Sequence, residues 1–140
     1  MAEPFFEILE HPADIGFRAF ADTLPALYVH AALAMLSIAG DPARVMPKQG
    51  FPLTVTSGDR EALMVDWLSE VLFWYDGKRV AFHDFRVLSL EEGTIRAIGI
   101  GEPRDPERHL SKLGIKAVTY HQLKVELRRG VWVAEVYLDV

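Results

Sequence analysis

Two stretches of the chain carry apolar residues at helical spacing. In the first, Leu27, Ala31, Met35 and Ile38 recur every three or four positions, which predicts a helix with one buried face. Thr23 is its natural N-cap, Pro25 is tolerated in the first turn, and Gly40 is the stop. In the second, Leu63, Trp67, Val71 and Tyr75 form a stripe with Leu68 and Leu72 beside it. Ser57 or Asp59 caps that helix, and Asp76-Gly77 ends it. The rest of the chain alternates with period two. Phe5 to Leu9 and Ile15 to Ala21 read as strands joined by the turn His11-Pro12-Ala13-Asp14. A proline-bearing loop, Asp41 to Gly50, precedes a short strand at Pro52 to Thr56. Val80 to Leu90, Thr94 to Ile100 and Ile115 to Leu127 read as strands, with turns at Glu91-Glu92-Gly93 and Arg128-Arg129-Gly130. Val131 to Val140 is the last strand.

This order argues for one α+β domain spanning residues 1–140, with two helices covering one face of a largely antiparallel sheet. Ala26-Leu27-Tyr28-Val29 and Ala62-Leu63-Met64-Val65 echo each other faintly, the trace that an internal duplication would leave. Trp67, Phe73 and Trp74 read as core and not as a base-stacking platform. The segment Glu102 to Gly114, with Pro103 and Pro106 among charges, exceeds an ordinary hairpin loop, and loops of that length tend to be mobile or functional.

Composition narrows the function. Half of the 140 residues are hydrophobic, enough for a sizeable core. The absence of cysteine excludes disulfides, thiolate metal sites and a cysteine nucleophile. Met1 to Glu7 lacks the basic-then-apolar pattern of a signal peptide. Leu24 to Gly40, the most apolar stretch, falls short of the ~20 residues of a membrane span. The expectation is a soluble, cytoplasmic protein with no membrane partner. The net charge is -5, and Arg104, Arg108, Lys112 and Lys116 are interleaved with Glu102, Asp105 and Glu107. A stand-alone RNA binder needs a basic face, so a protein partner or a cation suits this charge better.

No phosphate-binding glycine loop, H-E-x-x-H or G-x-S-x-G occurs; Gly99 and Gly101 end a strand and do not open a helix. The remaining chemistry lies in scattered acids and histidines. Asp14 has two readings: a turn residue bonding nearby amides, or a hard oxygen ligand at a strand end. Asp139, one residue before the main-chain carboxylate of Val140, is either a solvated tail or half of a carboxylate pair whose repulsion a divalent cation relieves. His109 and His121 read as structural before catalytic, His121 as a half-buried strand residue. A metal-dependent hydrolase built on His11, Asp14 and His121 would need general-base geometry that the sequence does not supply.

Several of these motifs together resemble the archease family. Glu10-His11-Pro12-Ala13-Asp14-Ile15-Gly16-Phe17-Arg18 is similar to its opening H-T-A-D-I-G-x-R, with Pro12 in place of the family threonine. Glu61 to Leu68 is similar to its Leu-x-Val-x-Trp-Leu helix. Gly101-Glu102, His109 and Ile115 to His121 resemble its G-E…H…V-K-A-V-T-Y-H stretch. Val131-Trp132 and Leu138-Asp139-Val140 match its ending. The resemblance implies an α+β domain that is not itself an enzyme and binds a divalent cation, calcium first, with magnesium or manganese as alternatives. The ligands it implies are Asp14, Asp139 and the Val140 carboxylate. It also implies a partner, the GTP-dependent RNA ligase of tRNA splicing and RNA repair, whose guanylylation and repeated turnover it promotes; tRNA would be met only through that ligase. Lys116, His11, His109 and His121 fall within the same motifs without an assigned role.

Overall fold

The computed structural model describes residues 5–10 and 15–140. The elements follow as β1 (Phe6–Glu10), β2 (Ile15–Ala21), α1 (Leu24–Ala39), a 3-10 turn (Pro42–Arg44), β3 (Gln49–Thr56), α2 (Arg60–Asp76), β4 (Val80–Glu91), β5 (Thr94–Pro103), β6 (Ala117–Val118), β7 (Lys124–Arg128) and β8 (Val131–Asp139). The class is α+β, as the element order requires. The strands divide between two antiparallel sheets. One runs β1-β2-β8-β6 with β7 also on β8, and the other runs β3-β5-β4. Both helices touch both sheets. The expected single sheet is thus two, because a period-two pattern records which face of a strand is buried but not which strand lies alongside it.

Local chemistry sets the element ends. Thr23 and Asp59 sit in extended conformation, and their side chains accept from the amides of Ala26 and Ala62. Asp59 is therefore the cap of α2; Ser57 instead turns its hydroxyl to Asp66. Gly40 and Gly77 return their N–H groups to Leu36 O and Phe73 O. At the hairpins, Glu92-Gly93 (φ 52° and 74°) and Arg129-Gly130 (φ 52° and 81°) adopt paired left-handed conformations, those of a two-residue turn matched to strand twist. Pro52 lies on β3, an edge strand, where a missing N–H is tolerated.

The core is filled from all four layers of contact. Phe17, Val136 and Leu138 come from the first sheet, Leu27, Ala31 and Met35 from α1, Trp67, Leu68 and Val71 from α2, and Leu53, Phe82 and Ile95 from the second sheet. Trp67 is fully buried and donates its indole N–H to Tyr28 O at 2.9 Å, so its one polar atom is satisfied. Burial pushes the Tyr28 phenol up; its hydroxyl donates to Arg60 O at 2.9 Å. Trp74 is only partly buried and Phe73 is 55% exposed, so Phe73 is a surface residue and not the core residue expected. It lies off the buried stripe, next to Leu72.

One expected strand is broken. Ile115 to Leu127 forms β6 and β7, which lie end to end along the same edge of β8. Val118 pairs with Leu138 and Lys124 with Glu135, so the five residues from Thr119 to Leu123 face only Val136 and Tyr137. The excess loops out. Thr119 directs both its N–H and its hydroxyl to Tyr137 O, His121 N–H turns back to the Thr119 hydroxyl, and Gln122 adopts φ 51°. His121 is therefore an exposed turn residue with its ring 6.2 Å from that of Tyr137, not a half-buried strand residue.

Candidate metal-binding end of the sheet

The pairing of β2 with β8 brings together residues more than a hundred positions apart. Seven pairs run from Ile15↔Leu138 to Ala21↔Trp132. The register is held on the outer face by charge. Arg18 donates from Nε and Nη2 to Glu135 Oε1 at 3.0 and 2.7 Å, and from Nη1 to Glu7 Oε2 at 3.1 Å. These bonds, above all that to Glu135, push the guanidinium further toward its charged form. Gly16 is required beside them: a Cβ there would lie 2.6 Å from Val136 O and 2.7 Å from the Tyr137 ring.

At the end of this ladder three strands meet on Leu138, which is fully buried between Ile15 and Val118. Beyond it Asp139 and Val140 are exposed. Asp139 is not a loose tail. It pairs with Ala117, and its carbonyl accepts from Lys116 N–H at 2.7 Å. With the backbone held in the sheet, the exposed side-chain carboxylate of Asp139 is available as an oxygen ligand. Asp14, the residue before Ile15 in sequence, lies outside the described residues, as do His11, Pro12 and Ala13. Among the described residues no group of three acidic or histidine side chains could hold a metal ion. The described side-chain donor, the Asp139 carboxylate, is a hard oxygen ligand suited to calcium, magnesium or manganese, and too little by itself to enclose one.

The second cluster of chemical interest sits in the long loop, and its bonds are internal. Glu102 is 1% exposed. Its Oε1 accepts from Arg108 at 2.6 Å, and its Oε2 accepts from Met46 N–H at 2.8 Å and from His109 Nε2 at 2.9 Å. His109 Nδ1 accepts from Asp105 N–H at 2.8 Å, which fixes the proton on Nε2. The Arg108 guanidinium, then the Met46 amide, hold the Glu102 carboxyl down at about 2. With both histidine nitrogens engaged, this cluster acts as a clamp that fastens the loop to β5 and to the segment after the 3-10 turn. Sequence reasoning left His109 without a partner; the partner was the glutamate seven residues earlier, in the same G-E…H motif. Arg104 secures the next stretch, stacking 4.0 Å over Tyr75 and bonding Tyr75 O at 3.1 Å and the Ser111 hydroxyl at 2.7 Å. The expected mobile or functional loop is thus tied down along its length, ending where Lys116 meets Asp139.

A small α+β domain of two antiparallel sheets sharing two helices, with an acidic strand end brought beside the start of β2, defines the class. The chain belongs to the archease family: the model of the Archease protein family matches residues 6–140. The protein named archease of Methanosarcina acetivorans is 41% identical over 139 residues, covering 96% of this chain and 95% of its own length. That of Methanopyrus kandleri is 41% identical over 138 residues, covering 96% and 99%. A solution structure of a Methanobacterium thermoautotrophicum protein superposes with a TM-score of 0.83 at 30% identity, covering 97% of this chain and 99% of that one. A crystal structure from Thermotoga maritima, described as an archease and possible chaperone, has the same fold at a TM-score of 0.67 and 20% identity, covering 100% and 98%. Among the described residues no helix is long and apolar enough to cross a membrane.

Proposed function

We propose that this chain is a divalent-cation-binding accessory protein that activates a GTP-dependent RNA ligase, promoting guanylylation of the ligase and its repeated turnover in tRNA splicing and RNA repair. The observation that carries this reading is the register that starts β2 opposite Leu138, one residue before the exposed and backbone-pinned Asp139. Asp14, Asp139 and the Val140 carboxylate would hold the cation, calcium first. Three such donors leave coordination positions for water or for a phosphate of the partner. When bound there, the cation supplies charge stabilisation to phosphate oxygens. The chain's own contribution is orientation: Lys116 N–H and the β2 and β6 pairings hold the acidic strand end in place. The reacting groups belong to the ligase, so the chain has no catalytic residue of its own, and a net charge of -5 fits contact with tRNA only through the ligase. The test is guanylylation and multiple-turnover ligation by the ligase with wild type, Asp14→Ala or Asp139→Ala. Loss of stimulation by both variants, with their folds intact, is expected; full stimulation by both refutes the reading.

A general chaperone or binding module is the second reading. It draws on the exposed Phe73, Leu88 and Tyr120 and on the description of the Thermotoga relative. Suppression of aggregation of unrelated clients, undiminished in Asp139→Ala, would favour it.

A further inference from the structure

We propose that the groove between α2 and β6 is where the ligase docks, and that it receives an apolar side chain of the ligase adjacent to an acidic one; this rests on the ligase-activator reading. The groove has a volume of about 460 Å³, and its lining includes Leu72, Phe73, Val118 and Ser69 with the charged Asp76 and Lys116. Its apolar lining includes Phe73, a large aromatic that the core leaves 55% exposed. Buried aromatic anchors in pockets of this sort dominate protein interfaces.

Two observations select the occupant. The first is continuity. Lys116, Ala117 and Val118 line the groove, and the same residues hold Asp139 through the Ala117 pairing and the Lys116 N–H bond. Paired strands lie about 4.8 Å apart. A protein that reaches the Asp139 carboxylate is therefore about one strand-width from the groove wall. The second is charge. Asp76 lies 3.4 Å from Arg104, whereas Lys116 is exposed and has no ion-pair partner among the described residues. The charge left unpaired in the lining is positive on a chain whose net charge is negative, and it calls for an acidic neighbour on the ligase.

The test is fluorescence anisotropy of the labelled GTP-dependent RNA ligase encoded by the same genome, titrated with the full chain. The chains are wild type, Phe73→Ala, which removes the exposed aromatic, and Ser69→Arg, which fills the groove from an exposed helix position. Calcium affinity and thermal midpoint are measured on the same samples. Both variants are expected to bind the ligase at least tenfold more weakly, with calcium affinity and midpoint at wild-type values. Wild-type ligase affinity in either variant overturns the docking proposal while leaving the activator reading in place. Failure of the wild-type chain to bind the ligase at all overturns both.

Discussion

Replacing Gly16 by alanine probes the β2–β8 pairing on which the candidate site depends. The added Cβ would lie 2.6 Å from Val136 O, about 0.8 Å inside ordinary contact, and 2.7 Å from Cδ1 of Tyr137. The tyrosine ring can turn, but the carbonyl belongs to the backbone of the paired strand and can move only if β8 moves away from β2. Overpacking of this kind costs about 1–3 kcal/mol. For a chain of 140 residues, a kilocalorie corresponds to about 3 °C of thermal midpoint, so a fall of about 3–9 °C is expected. The assay is thermal unfolding followed by far-UV circular dichroism, with amide exchange at Phe17 and Val136 reporting whether the ladder itself loosens. Gly58→Ala is the control, because nothing lies within 4 Å of a Cβ there. A Gly16→Ala midpoint within about 1 °C of wild type, with unchanged exchange, would refute the close-approach argument.

Three further outcomes are expected. Glu102 titrates at about 2 in the folded chain against an ordinary 4.5, so it adds stability above pH 4.5 that is lost as pH falls toward 2; Glu102→Gln should remove that part of the acid-unfolding profile, and an unchanged profile would contradict the clamp. Trp67→Phe removes the indole N–H that bonds Tyr28 O and opens space in the core, and should cost about 1–3 kcal/mol by urea denaturation. Asp59→Ala should cost about 1 kcal/mol as loss of the α2 cap; a larger loss in Ser57→Ala would return the cap to Ser57.

The fold was legible in sequence where the signal is local. The stripes of α1 and α2, the cap at Thr23 and the stops at Gly40 and Gly77 each follow from a few neighbouring residues, and β2 runs over the expected Ile15 to Ala21. What escaped is set by distant partners. The break between β6 and β7 arises because β8 offers two positions to five residues, while Tyr120-His121-Gln122 read alone looks like continued alternation. The division into two sheets depends on which strands pair, and the alternation does not encode that. At the site, the sequence supplied Asp139 as an acid near a carboxylate, but not the Lys116 N–H that turns a tail into a fixed strand end. The His109 partner was missed for a similar reason: a spacing of seven within a loop has no periodic meaning.

The most direct test of the account is calorimetric titration of calcium into the wild type, Asp14→Ala, Asp139→Ala and the double variant. If both aspartates hold one ion, each single substitution weakens binding at least tenfold, and the double variant falls short of the product of the two losses. Calcium binding that neither substitution weakens, or two ions bound by the wild type with each single variant losing one and keeping the other, would contradict it.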